Sequence, residues 1–240
     1  VIRIRKAVDP PGKAKPDTEI ICEIARRMGR GKFFEYKNSE ELFNELRVAS
    51  HGGTADYYGI TYERVEKEYG VFWPCPEIGH PGTPRLFEDL KFYTPDKKAH
   101  FHPTPYRPSA EEPDEEFPII LTTGRVISQY LSGTQTRRIG GLVDLCPDPY
   151  VEIHPTLADQ YGIQDKDWMK VESRRGSVVL QAKVVTTIRP DTVFIPYHWA
   201  GKRSANNLTI RAIDPISGIP EFKRSCVRIE KADDPALSAV

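Results

Sequence analysis

Apolar residues in the first half of the chain recur at helical spacing, whereas those in the second half fall into short runs and alternations. Asp9-Pro10-Pro11-Gly12 reads as a turn. Asp17 then predicts the cap of a helix whose apolar positions Ile20, Ile21, Ile24, Ala25 and Met28 share one face, with Gly29 and Gly31 as its stop. A second helix is predicted from Ser39, with Leu42, Phe43 and Leu46 on one side, and a third from Thr61 to Tyr69. Prolines then crowd Trp73-Pro74-Cys75-Pro76 and His80-Pro81-Gly82-Thr83-Pro84, which forbids regular ladders and suggests a segment laid over another surface. The stretch from Phe92 to Phe101 reads as a hairpin, and the acidic, proline-bearing stretch Pro103 to Glu116 as a linker.

From Phe117 onward β-forming runs follow one another. Strands are predicted at Pro118–Thr122, Tyr150–Ile153, Trp168–Ser173, Ser177–Val185, Thr192–Pro196 and Ser225–Ile229, with a hairpin turn at Arg174-Arg175-Gly176-Ser177 and a short helix at Pro155–Tyr161. Five or six strands with one or two short helices in so short a span point to a small closed barrel. The expected organisation is therefore α+β: a helical, proline-rich segment over 1–115 that completes an upstream domain, a β-barrel over 116–233, and a tail over 234–240.

Composition narrows the function classes. Thirty-four basic and 34 acidic residues balance, so no global field recruits nucleic acid or an anionic membrane, and any anion binding must be local. No apolar run approaches the roughly 20 residues of a membrane span, and no signal peptide opens the chain. Val1 reads as the middle of something: a fragment, a processed chain or one piece of a split polypeptide. The expectation leans to the cytoplasm over the periplasm, although a signal on an upstream piece would reverse it. Cys22, Cys75, Cys146 and Cys226 lie far apart without a C-x-x-C pair, so a self-contained iron–sulfur or zinc site is not expected. His51, His80, His100, His102 and His154 are scattered through turn-like sequence and read as solvated or structural.

Three segments carry candidate chemistry. The first is Thr123-Gly124-Arg125-Val126 running on through Gln129 to Ser132, where a strand end opens into a glycine, hydroxyls and a guanidinium fork, a combination suited to phosphate. The second is Tyr197-His198-Trp199, directly after a strand, whose rings can stack on a planar heterocycle. The third joins Asn206-Asn207, amides able to read a purine-like edge, to Lys223, a point charge for phosphate. No Ser/His/Asp set or carboxylate pair stands out, so no catalytic or metal-ligating residue is assigned.

Taken in order, Thr123-Gly124-Arg125-Val126, Ser132-Gly133, Thr136-Arg137-Arg138, Glu152-Ile153-His154-Pro155, Gly162-Ile163, Val171 to Gly176, Asn207-Leu208-Thr209 and Asp214-Pro215…Pro220-Glu221-Phe222-Lys223 resemble the C-terminal molybdopterin-dinucleotide-binding domain of the dimethyl sulfoxide reductase family. Its nearest branches are formate dehydrogenases and nitrate reductases. The first half is similar too, at Arg5 to Gly12 with Pro16-Asp17, at Trp73-Pro74-Cys75-Pro76 and at His80 to Pro84.

That resemblance implies a barrel of the double-psi type and a molybdenum or tungsten ion held by two pterin guanine dinucleotides. It implies that Thr123, Gly124, Arg125, Val126, Gln129 and Ser132 contact the dinucleotide, that Tyr197 or His198 faces the cofactor, and that Asn206 and Lys223 contact the pterin or its phosphates. Many relatives carry two histidines in the loop where this chain has Gln129 and Leu131. The family's four-cysteine cluster motif and its metal-binding Cys, selenocysteine, Ser or Asp are not found here. The expected partner is thus an N-terminal catalytic portion or subunit with the iron–sulfur cluster and the metal ligand, with further electron-transfer subunits, and the chain alone is expected to be inactive. For the whole enzyme formate dehydrogenase is the first expectation, on Asp9 to Gly12 and Trp73 to Pro76. Nitrate reductase is the alternative, and a non-catalytic accessory or assembly domain is the rival from another class.

Overall fold

The computed structural model describes residues 1–235 and divides into two compact units, Val1–Pro103 and a second beginning at Thr104. The part of the expected tail beyond residue 235 lies outside the described residues.

The first unit holds three helices, α1 (Asp17–Arg27), α2 (Ser39–Ser50) and α3 (Tyr62–Glu68). Pro16, not Asp17, occupies the cap position of α1, and no side chain caps that helix; Asp17 instead opens its acidic first turn. α2 begins at Ser39 as expected, with Asn38 as its cap. Asn38 accepts from the Glu41 N–H at 2.9 Å, and the Glu41 carboxylate reaches back to the Lys37 N–H at 2.8 Å. Thr61, the first residue of the third expected helix, is the cap of α3 and accepts from the Arg64 N–H at 3.1 Å.

The core of this unit is small: Ile60, Val65, Val71 and Cys75, with Phe43, Tyr57 and Trp73 against it. The apolar face of α1 is only partly spent, since Cys22 and Ala25 are buried while Ile20, Ile21, Ile24 and Met28 stand exposed. Phe92–Phe101 does not form the expected hairpin. Its backbone closes one turn, through Phe92 N–H to Lys97 C=O at 3.0 Å, and no ladder follows.

The second unit is a closed six-stranded barrel. Its strands are β1 (Ile119–Gly124), β2 (Tyr150–Ile153), β3 (Trp168–Ser173), β4 (Gly176–Val184), β5 (Thr192–Pro196) and β6 (Ser225–Lys231), in the order β1-β5-β2-β4-β3-β6. Two pairs are parallel, β1 with β5 and β2 with β4, and the rest are antiparallel. Exchanging the first three strands for the last three maps this set of pairings onto itself, which is the internal two-fold of a double-psi barrel. Strict alternation drives closure: Ile119, Leu121 and Thr123 of β1 and Met169, Val171 and Ser173 of β3 point inward. Val151, Ile153, Leu180, Val193, Ile195 and Val227 complete a continuous core.

Short helices α4 (Gly140–Leu145) and α5 (Pro155–Gln160) lie between strands; only α5 was legible from the pattern. His154 caps α5 by accepting from the Thr156 N–H at 3.2 Å.

The stretch read as a linker is in large part a strap fastened to the barrel. Glu111, with a side chain 8% exposed, meets Arg175 through both carboxylate oxygens at 2.5 and 2.9 Å, Arg174 at 3.0 Å and the Cys226 N–H at 2.7 Å. Glu112 holds Arg224 at 2.7 Å, and the Arg174 guanidinium lies 4.4 Å over the buried Phe117 ring. The reason is charge: the acids of this stretch find guanidinium partners on the barrel wall and so cannot behave as a solvated spacer.

Candidate functional site

Strand direction decides where the candidate segments go. β1, β3 and β5 run one way and β2, β4 and β6 the other. The connections 125–149, 174–175 and 197–224 therefore all leave and re-enter the barrel at one end, while 154–167 and 185–191 serve the opposite end. Every predicted site residue lies on, or at the strand end leading into, the first set. The parallel register Gly124↔Pro196 places the start of the first loop beside the start of the second, although 72 residues separate them in sequence.

Three contacts build this mouth. Arg125 Nε donates to the Tyr197 hydroxyl at 2.5 Å, and that oxygen pushes the guanidinium further above its already high value. The Val126 N–H donates to His198 Nε2 at 2.9 Å, so His198 Nδ1 carries the proton and donates to the Leu131 carbonyl. Thr123 Oγ1 donates to the Phe222 carbonyl at 2.9 Å, which brings Lys223 to the end of β1.

The predicted residues thus divide by role. Tyr197 is half-buried with its hydroxyl on Arg125, whereas His198 is fully buried with both ring nitrogens committed to backbone groups. Of the two aromatic candidates, Tyr197 presents itself at the mouth, and His198 ties loop 125–132 to loop 197–199. Gln129 is also turned inward, accepting from Thr136 Oγ1 at 2.7 Å and donating to the Cys146 carbonyl at 3.3 Å. Ser132 is exposed and bonded to Thr134. Asn206 sits exposed on a one-turn helix, Ala205–Asn207, and its amide makes no hydrogen bond among the described residues.

One residue outside the predicted set is Arg137. Its Nε is buried with no hydrogen-bond partner among the described residues, beside Gly133 and the His198 carbonyl. Arg125, Arg137, Arg138 and Lys223 all lack a carboxylate partner among the described residues, whereas Arg174 and Arg175 in the β3–β4 turn, Arg224 just before β6 and Arg228 on β6 each have one. Cations left without acids at the end of the barrel that carries the long connections can hold a polyanion. Thr136-Arg137-Arg138 was visible as a motif, but the missing partner is a property of the fold. Arg203, in the same region, is neutralised by Asp148.

Three further histidines are engaged by neighbouring groups of the chain. His51 stacks on Tyr58 and pairs with Asp56, His80 accepts from the Gly82 N–H, and His100 pairs with Asp96. All four cysteines are buried free thiols; burial pushes Cys226 up to about 11. No three His, Cys, Asp or Glu side chains are placed to hold a metal among the described residues, and no described helix is long and apolar enough to cross a membrane.

A closed double-psi barrel with unpaired cations gathered at one end offers a surface suited to an anionic ligand. Residues 119–226 match the family model described as Molydopterin dinucleotide binding domain. The chain is 46% identical to the assimilatory nitrate reductase catalytic subunit of Bacillus subtilis, over 95% of its own length and 32% of the relative's. It is 42% identical to the F420-dependent formate dehydrogenase subunit alpha of Methanocaldococcus jannaschii, over 95% of its own length and 33% of the relative's. Among solved structures, acetylene hydratase from Pelobacter acetylenicus shares the fold with a TM-score of 0.62 at 23% identity, covering 95% of this chain and 34% of that one. The chain thus spans about a third of the length of the relatives it matches.

Proposed function

We propose that the barrel mouth binds the dinucleotide arms of a molybdopterin cofactor and that the chain serves as the cofactor-capping part of a larger oxidoreductase. The observation that carries this reading is Arg137, whose buried, partnerless Nε marks a place where an anion is wanted. In this reading Arg125, Arg137 and Lys223 hold phosphate groups, the free amide of Asn206 reads a purine-type edge, and Tyr197 positions Arg125. Thr123, Gly124, Val126, Gln129, Ser132 and His198 shape the loops that present them. The cofactor, when bound, supplies two-electron oxidation or reduction at a molybdenum or tungsten ion. This chain orients it and excludes water from one side. The protein ligand to the metal and the iron–sulfur cluster belong to another part of the complete protein or to a partner.

For the whole protein, formate remains the first substrate proposed, on the Asp9 to Gly12 and Trp73 to Pro76 segments. Nitrate has a specific observation in its favour, the higher identity to the Bacillus nitrate reductase.

Arg125→Ala in the assembled enzyme is expected to lower cofactor occupancy, because it removes a charged, forked donor to a phosphate group. Metal and pterin content measured on the purified variant tests this, and unchanged content would remove Arg125 from the site.

A further inference from the structure

The turn that carries Asn206 is held by the barrel beneath it and by the neighbouring β3–β4 turn. Ala205 and Leu208 are fully buried and peg it to the barrel, and Ser204 Oγ accepts from the Asn206 N–H at 3.3 Å. Leu208, whose N–H closes the turn onto the Ala205 carbonyl at 3.0 Å, offers its own carbonyl to two donors of one guanidinium: Arg175 Nη2 at 2.9 Å and Nε at 3.3 Å. That guanidinium is in turn gripped through Nη1 and Nη2 by both oxygens of Glu111. The backbone beneath is equally close, for a Cβ on Gly176 would stand 3.1 Å from the Asn207 carbonyl. The Asn207 amide is spent on the Gly201 carbonyl at 3.0 Å, so Asn206 alone offers a free amide on this turn.

We propose that Arg175, oriented by Glu111, is a positioning residue for ligand binding at the mouth: it fixes the Leu208 carbonyl and thereby the direction in which Asn206 presents its amide. The proposal rests on the cofactor reading given above. A planar guanidinium suits the task because its fork can satisfy a carboxylate on one edge and a carbonyl on the other, which a lysine ammonium cannot do in a fixed plane. Neither Glu111 nor Arg175 needs to touch the ligand.

The test is a double-mutant cycle in the complete cofactor-loaded enzyme, reading the rate at which guanine dinucleotide is released, with melting temperature measured in parallel. Asn206→Ala is expected to speed release roughly tenfold with an unchanged melting temperature, and Arg175→Met to speed it by a similar factor in the wild-type background. On the Asn206→Ala background, Arg175→Met should add less than about twofold, because the group it positions is already gone. Arg175→Lys, which keeps the charge and loses the fork, should behave like Arg175→Met. Asp191→Asn, which breaks the Arg189 pair at the opposite end of the barrel, controls for general loosening and should leave release unchanged.

Full additivity of the two variants would overturn the positioning role, as would faster release in Asp191→Asn. If Asn206→Ala has no effect while Arg125→Ala still empties the site, Asn206 is not a ligand group and the proposal falls, with the wider reading intact. If neither variant alters cofactor content or release, the cofactor reading itself fails.

Discussion

A histidine with both nitrogens spent on backbone groups cannot also read a ligand. His198 sits one position from Tyr197, and sequence gave no means of choosing between them. The parallel register of β1 and β5 separates them by position, because it turns one ring onto the Val126 N–H and leaves the other beside Arg125. Gly133 belongs to the same construction. Its φ of +70° is in the left-handed region, and a Cβ there would lie 2.7 Å from the His198 carbonyl, so both the backbone and the space demand glycine. Gly133→Ala is expected to destabilise the loop by about 1–3 kcal/mol and to lower cofactor content several-fold. Melting temperature and pterin content check this, and a variant equal to wild type in both would show that the loop yields freely. Thr123, Arg125 and Lys223 were readable as chemistry from residue type. Arg137 was readable only as a motif, since nothing in Thr136-Arg137-Arg138 says that no acid will come near it.

At the scale of elements, alternation carried the strands and failed where irregular backbone does the holding. All six predicted strands exist, with ends shifted by at most two residues, because burial on a barrel wall imposes period two directly on the residues. The strap over 109–116 carries no such imprint: its acids look solvated until Arg174, Arg175 and Arg224 are brought opposite them. Burial alone would raise the Glu111 carboxyl, but Arg175, the Cys226 N–H and Arg174 outweigh it and hold its pKa below the ordinary carboxylate value. A depressed folded-state pKa contributes stability that is present above the unfolded-state value and is lost as pH falls through the folded one. Glu111→Gln is therefore expected to cost about 2 kcal/mol near neutrality, less than a fully buried pair because Arg174 and Arg175 keep partial solvent access. The cost should shrink as pH drops below the usual carboxylate range, where wild type protonates the same group. Chemical denaturation across pH measures both curves, and a cost independent of pH would mean that the carboxylate charge contributes nothing.

For the whole molecule the two units differ in how far each is finished. The barrel closes on itself with no free edge, and its core runs from Ile119 through Val193 to Ile229. The first unit gathers a core cluster of four residues and leaves Ile20, Ile21 and Ile24 on α1, Met28 just past its end, and Leu42 and Leu46 on α2 exposed. Helical periodicity revealed those faces but could not show that nothing in 1–103 covers them. A helix whose apolar stripe is unspent draws little stability from packing and relies on weak intrinsic propensity. The relatives are three times longer, which offers polypeptide for such a face to pack against. In the purified 240-residue chain, amide exchange is therefore expected to be fast across α1 and α2 and slow in β1, β3 and β5, with a gap of at least about 2 kcal/mol between them. The same preparation is expected to turn over neither formate nor nitrate with an artificial electron donor or acceptor. Protection in α1 matching that of the barrel would mean that the first unit is complete by itself, and measured turnover would place the whole reaction on this chain.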